Sequence, residues 1–536
     1  MTENFARWSV LLWQYLKRDW KKILFWIAGL GLFTGGFVPA FEELAKGQGL
    51  QGMYETMQNP AMVAMIGPSP VTQAADYTVG AMYANEMLLF SGLFAMIISA
   101  LHVVSHTRKE EDLGLTELVR SFQVGRLANS FAVLVEVVLI NLLLAAFIGT
   151  LMTSFGVTSM EAGGAYLFGA SVGLAGLLGG VIALVFAQIM PNSSGATGVS
   201  LAIVGVLYTL RASSDVTNID WSYWNPMGWT YLTHPFTNND SKPLLYGLVF
   251  SVVMTGVAFL LESRRDMGAG YLPEREGRAH AKATLLSVPG LLLRLNRGVI
   301  ISWLVAFVLL GAAYGSIYGD MQTFLESNDL LKQMFTQSGV SLEASFTSTI
   351  MLILVGLAAI LPIVLVNKLA AEENRGHLSQ LFATKVSRGK WYWTTIFLAI
   401  VMGALGILLT AGGLGGAALA VMGDSTLSMS DFLAAGFNFL PAVLFFTGLA
   451  AVSLGWLPGA GKVIYAYLAY SLLLNYFDGI LDLPDWFLKT AIQSWLPQLP
   501  VADFEWVPFV VITLISIGLF LLGYVGYRQR DLSEGI

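Results

Sequence analysis

Apolar runs of about 20 residues constrain this sequence more than any other feature, because a helix needs that length to cross a bilayer core. Twelve such runs recur along the chain, near 23–41, 86–105, 129–152, 164–189, 198–211, 244–261, 299–318, 348–367, 393–417, 432–456, 463–477 and 507–527. The fifth and eleventh are the shortest. Only 12% of the 536 residues are charged and the mean hydropathy is +0.67, against about 25% charged in globular chains. A bilayer core offers no water to backbone amides, so runs of this kind span as helices. The sequence predicts an all-α polytopic membrane protein with about 12 transmembrane helices.

Basic residues set the expected orientation, since Lys and Arg near span ends favour the cytoplasmic face. With both termini inside, the outer face keeps only Lys46, Arg211, Lys242, Lys332 and Lys489 of the 29 Lys and Arg. Flipping the chain reverses the bias, so both termini are expected in the cytoplasm. That rule also accounts for the basic inner face, which therefore gives no reason to expect a nucleic-acid partner; membrane lipids are the surroundings. There is no cysteine, hence no disulfide framework and no thiolate metal site. The first 22 residues are polar and end in Lys21-Lys22, unlike a cleavable signal peptide. Phe5, Trp8, Leu12, Tyr15 and Leu16 fall at helical spacing there, which suits a helix lying in the interface plane before the first span. Residues 283–297 precede the seventh span in the same way. A cytoplasmic helix packed on protein is the alternative for both.

That parallel is one sign of an internal repeat. A clearer one is "EEDLGLTELVRSFQVGR" at 110–126, which returns as "EENRGHLSQLFATKVSR" at 372–388. Without a gap, Glu110 and Glu111 match Glu372 and Glu373, Gly114 matches Gly376, Val124 matches Val386, and Arg126 matches Arg388. Both segments join the second and third spans of their halves. "AQIMPNSSG" after span four likewise resembles "LGWLPGAGK" after span ten, with Pro191 opposite Pro458. The chain reads as two parallel six-helix repeats, 1–282 and 283–536; six spans is an even number, so the halves are not inverted. The charged stretch 264–282 reads as a cytoplasmic linker. As a helix, the repeated segment places Glu110, Gly114 and Glu117 on one stripe and Leu115, Val119 and Phe122 on another. One face then rests on the membrane helices while the other meets the cytoplasm. Glycine there permits close approach or a turn. A paired surface of this kind suits a partner with two equivalent sites; ordinary loops kept similar by duplication are the alternative.

Glu-Glu-x-x-Gly followed by Val-x-Arg after a second span resembles the coupling-helix region of ABC-2 type transport permeases. The two-by-six layout resembles, over essentially the whole chain, the fused permeases known as exporters of polyketide antibiotics. The first copy has Gln123, and the second Lys385, where that family commonly shows proline. The resemblance implies an ABC-2 (type V) exporter-like fold in a bacterial or archaeal plasma membrane. It implies a permease that moves hydrophobic or amphipathic small molecules (drugs, antibiotics or lipids) outward, by rocking of the two halves about a central cavity. The engine would be two nucleotide-binding ATPase subunits, a homodimer, with ATP and Mg on those partners and no cofactor on this chain. The residues it marks as coupling contacts are Glu110, Glu111, Gly114, Glu117 and Arg126, with Glu372, Glu373, Gly376 and Arg388.

Such a chain is expected to carry no catalytic residues. The nearest phosphate-loop look-alike, "GWLPGAGKV" at 455–463, has the wrong glycine spacing and Val463 after its lysine; it reads as a turn. His102 and His106 stand at i and i+4, but Val103 occupies the place of the zinc motif's glutamate, so no metal is expected. Asp478, Asp482 and Asp485 read as solvated loop aspartates rather than cation ligands. Trp221, Trp224, Trp229, Trp486, Trp495 and Trp506 read as an aromatic belt. Segments 43–85 and 319–347 are expected as outer loops. Glu136, inside span three, and Asn141 shortly after it are the candidates for a substrate or gating role, because charge within a bilayer is costly and often functional; a hydrogen bond between helices is the structural alternative. Leu398 stands opposite Glu136 in the second half. A proton-coupled secondary multidrug transporter using Glu136 is the alternative function. An intramembrane enzyme would need more convergent polar groups than these spans carry.

Overall fold

The computed structural model describes residues 2–47, 49–58, 60–273, 277, 279–320, 341–422, 427–481 and 484–532. These residues form helices, turns and loops, with no strand among them. Among the described residues eleven helices are long and apolar enough to cross a membrane, so the protein is an all-α, multi-pass membrane protein. The first half holds α1 (Trp8–Gly35), α2 (Val79–His106), α3 (Ala128–Ser154), α4 (Ala162–Ile189), α5 (Ser193–Thr217) and α6 (Lys242–Arg264). The second holds α7 (Val288–Ser316), α8 (Leu342–Asn374), α9 (Arg388–Val421), α10 (Met429–Trp456), α11 (Val463–Leu481) and α12 (Trp506–Gln529). α11, the one of these outside the eleven, has 19 residues, roughly 28 Å of helix at 1.5 Å per residue. The chain divides into two compact units, Met1–Glu276 and Gly277–Ile536.

In the first unit α4 is the central helix, packed by α2 and α3 with α5 and α6 beside it. Small residues let the backbones meet: a Cβ on Gly179 would lie 2.2 Å from the Met96 carbonyl of α2. In the second unit α7 lies along α9 in the same manner, with Gly311 against the Thr410 carbonyl. Such contacts hold helices together where lipid removes the hydrophobic drive between them. α8 and α10 are each interrupted, at Ala359 and Phe439. Pro362 and Pro441 follow, and a proline cannot donate to the carbonyl four residues back and crowds it.

Two expectations change. The N-terminal amphipathic stretch is not a separate interfacial helix, because residues 8–35 form one continuous helix and no proline stands in that stretch to divide it. Nor is the end of the first half a plain linker. Leu272 donates its amide to the Ile189 carbonyl, 3.0 Å, and Gly268 and Ala269 accept from the buried Arg108, so residues 265–272 fold back over the ends of α2 and α4. Residues 274–276 and 278 of the linker, 321–340 of the expected outer loop and Asp482 lie outside the described residues, as does the side chain of Asp478.

Candidate functional site: paired knots and elbows after the second span of each half

The repeated segment is not one helix. Arg108–Asp112 is helical, Gly114 turns the chain at φ 72°, and Leu115–Arg120 forms a second short helix, the first elbow. In the second half Gly376 turns at φ 73° before the second elbow, His377–Phe382. A left-handed backbone costs glycine little and other residues more. Nothing lies within 4 Å of a Cβ at either glycine, so the turn and not close approach is what the glycines supply. The stripe of Glu110, Gly114 and Glu117 expected from a continuous helix is thereby broken.

Glu111 accepts two bonds from Arg265, Nη1 to Oε1 at 2.7 Å and Nη2 to Oε2 at 2.6 Å, one from Arg108 at 3.0 Å and the Gly268 amide at 2.6 Å. Glu373 is held in the same fork by Arg530, at 2.5 and 2.6 Å. Arg265 and Arg530 each stand immediately after the sixth helix of their half, and each donates its own amide into that helix's last turn. Their Nε atoms reach the end of the fourth helix, at the Gln188 side chain (2.7 Å) and the Leu454 carbonyl (3.1 Å). Their carbonyls accept from Arg126 and from Arg388, the latter at 2.7 Å. One arginine therefore ties the second, third, fourth and sixth helices at one end of each half. Bidentate, charge-assisted pairs of this kind are the strong class of hydrogen bond.

Four of the residues marked as coupling contacts, Glu111, Arg126, Glu373 and Arg388, thus have side chains engaged inside the chain. Their partners Arg265 and Arg530 were missed by the sequence reading. The available signal was an Arg-Asp pair at the end of the sixth span in both halves, Arg265-Asp266 and Arg530-Asp531.

The remaining marked residues differ between copies. Glu110 is buried, 2.8 Å from Arg18 of α1 and accepting from the Tyr15 hydroxyl at 3.0 Å. Glu372 is paired with the exposed His377 at 2.7 Å. Glu117 is exposed. The elbows diverge most. Of the apolar stripe expected to rest on membrane helices, Leu115 and Phe122 are turned outward in the first elbow, 43 and 67% exposed, while Val119 is half-buried in the adjoining groove; Leu118, outside that stripe, is 64% exposed, with Leu113 beside it. In the second elbow Leu378 is buried, and Leu381 and Phe382 pack on the core, leaving Arg375 and His377 outside. A groove of about 550 Å³ separates the first elbow from α1, walled by Leu11, Tyr15, Lys17, Arg18, Glu110 and Leu118 among others.

Glu136 is fully buried and its Oε2 lies 3.0 Å from His102 Nε2. Asn141 donates to Ser99 at 3.1 Å and to the Val137 carbonyl at 2.9 Å, linking α3 to α2. Pro458–Lys462, the phosphate-loop look-alike, is a short turn between α10 and α11. Among the tryptophans, Trp229 is buried, while Trp221, Trp224, Trp486, Trp495 and Trp506 are more than half exposed, as an aromatic belt requires.

Two six-helix halves, each knotted at the same four points, and an apolar chain throughout define a polytopic membrane protein with an internal repeat. Residues 285–528 match the family described as "Multidrug efflux system permease Rv1217c, C-terminal domain". The chain is 27% identical over 532 residues to the multidrug efflux system permease protein Rv1217c of Mycobacterium tuberculosis (strain ATCC 25618 / H37Rv), covering 97% of this chain and 94% of that one. The resemblance to a fused efflux permease therefore runs along the whole chain.

Proposed function

We propose that this chain is the transmembrane permease of an ATP-driven efflux system that moves hydrophobic or amphipathic small molecules out of the cell. Two ATPase subunits, a homodimer, dock on the two elbows and carry the ATP and Mg; both termini lie on that cytoplasmic side of the plasma membrane. The observation that carries the reading is the paired knot. A rigid four-helix tie beneath each elbow converts a push on the elbow into movement of a whole half, rather than of a loop. Coupling further requires that ATP favour one permease state over the other. The exposed Leu115, Leu118 and Phe122 and the adjoining groove form the apolar part of the docking surface. Glu117 lies on the same elbow; Glu110 and Glu372 hold the two elbows to their surroundings.

The test is purification of the chain from native membranes with an assay for associated ATPase. Expected is an ATPase that co-purifies, is stimulated by apolar drugs, and is lost from a Leu118→Gln, Phe122→Gln variant whose melting profile is unchanged. Wild-type chain that transports without any ATPase defeats the reading. The proton-coupled carrier then leads, and the buried Glu136–His102 pair is the observation that favours it. In that case transport fails with Glu136→Gln and with a protonophore, and tolerates the elbow variant.

A further inference from the structure

We propose that His102, His106 and Glu136, in the first half, form a binding site for a first-row divalent cation of the zinc class. One donor atom from each of the three lies within 4.8 Å of the others, and all three side chains are buried. The two imidazoles sit one helical turn apart on α2, with ring centroids 4.1 Å apart; this spacing puts both on one face of a helix. Glu136 reaches them from α3. Two histidines and a carboxylate are a donor set suited to zinc and its neighbours, while magnesium and calcium prefer oxygen alone.

One atom in the cluster points to a ligand. Glu136 Oε1 is buried without a hydrogen-bond partner, in a residue that is 0% exposed. Buried polar atoms are nearly always paired, and each one left over calls for an explanation. A cation held by both Glu136 oxygens satisfies the carboxylate in full. The His102 Nε2 to Glu136 Oε2 separation of 3.0 Å is close to the roughly 3.3 Å between ligands of a tetrahedral ion with bonds near 2.0–2.1 Å. The cation replaces the proton between those two atoms, so binding releases it. His106 closes on the pair by side-chain rotation.

A supporting shell is already in place. Asp19 of α1 lies 2.8 Å from His106 Nε2, the carboxylate–imidazole pairing that orients a metal-binding histidine; His106 Nδ1 lies 2.8 Å from the Ser105 hydroxyl and 2.9 Å from the His102 carbonyl, contacts it exchanges for the ion. Asp19 is itself partly exposed and paired with Arg18, which gives the cation a route in from the end of the bundle carrying the knot. The cluster is not a relic of duplication. The positions opposite His102, His106 and Glu136 in the second half are Val364, Lys368 and Leu398, so the repeat packs without it. Bound, the ion ties α2 to α3 directly, and to α1 through Asp19.

The experiment uses the full chain in detergent, purified without a polyhistidine tag and stripped with a chelator. It is titrated with Co2+ as the optical probe and then with Zn2+. Expected is one equivalent of Co2+ per chain with visible d–d absorption, displaced by Zn2+, and at least tenfold weaker binding in His102→Ala and in Glu136→Gln. The proposal is overturned if the wild type binds less than one equivalent or shows no such absorption. It is equally overturned if both variants bind as the wild type does, which would place the ion elsewhere, such as at the exposed His377–Glu372 pair. If a variant fails to accumulate, the wild-type titration decides alone.

Discussion

The second-half knot makes the sharpest prediction, because its ion pair joins two elements far apart in sequence. Glu373 has a side chain 2% exposed and Arg530 one 17% exposed, with both guanidinium nitrogens on both carboxylate oxygens. Removing one partner of a buried pair costs roughly 3–5 kcal/mol, whereas an exposed pair contributes about 0–1. Arg530 keeps some access to water, so screening lowers the expected interaction energy to about 2–3 kcal/mol. Glu373→Gln, Arg530→Gln and the double variant form a cycle that isolates that term. Thermal midpoints in detergent, followed by tryptophan fluorescence, provide the readout. Each single variant should fall on the order of 5 °C, taking 2–4 °C per kcal/mol for a unit of this size, and the double should fall little further. Arg530→Lys keeps the charge but loses the fork, so it should recover only part of the loss. Glu111 is held by Arg108 and the Gly268 amide as well as Arg265. Glu111→Gln should therefore cost more than Arg265→Gln. Additive single effects in the Glu373–Arg530 cycle, with an interaction energy below about 0.5 kcal/mol, would place the pair with exposed surface pairs and refute the knot.

Gly114→Ala and Gly376→Ala should each cost about 1–2 kcal/mol by strain alone, since φ is 72° and 73° and no atom lies within 4 Å; asparagine at either site should cost less, by the same melting assay. A Cβ on Gly176 would lie 1.8 Å from Asn141 Oδ1. Gly176→Ala should thus destabilise by roughly 1–3 kcal/mol, and Asn141→Ala should rescue part of it, so that a double variant worse than the sum would contradict the packing. Burial pushes the His234 imidazole below its usual value, with Asp240 opposing. The folded chain then binds fewer protons there than the unfolded one. Its contribution is complete above the usual histidine value of about 6.5 and declines as pH falls below it. His234→Gln should flatten the melting temperature against pH in that window.

The spans were legible because each is a local property, a run of apolar residues long enough to cross. α8 and α10 show the limit of that signal: composition marks a span but does not place its break, which the prolines at 362 and 441 help to set. The repeat was legible too, as Glu-Glu, Gly and Arg at equal spacing. Its meaning was not. Glu111 and Glu373 look like surface charges in sequence, and they are buried because an arginine more than a hundred residues away supplies the countercharge. No window along the chain contains both partners. The outward turn of Leu115 and Phe122 escaped for a related reason: the stripe assumed one helix, and a single left-handed glycine rotates everything after it. Glu136 stands apart from the His102–His106 pair in sequence, and only the packing of α3 on α2 brings it to them.

Duplication supplies an internal control on which of these features the architecture itself requires. Both halves keep the glutamate, the glycine turn, the arginine at the start of the third helix and the arginine after the sixth, with the same carboxylate–guanidinium fork. That arrangement survives a divergence that replaced most other residues of the segment, so it belongs to the stability of a half. What the halves do not share cannot be demanded by the fold. Among the described residues, the outward apolar elbow and the buried histidine–glutamate cluster occur only in the first half. In the second, the elbow is packed down and the corresponding positions hold Val364, Lys368 and Leu398. A partner made of two identical subunits would therefore meet two differently built surfaces. The first half would supply the apolar grip, and the second a polar contact centred on Arg375 and His377.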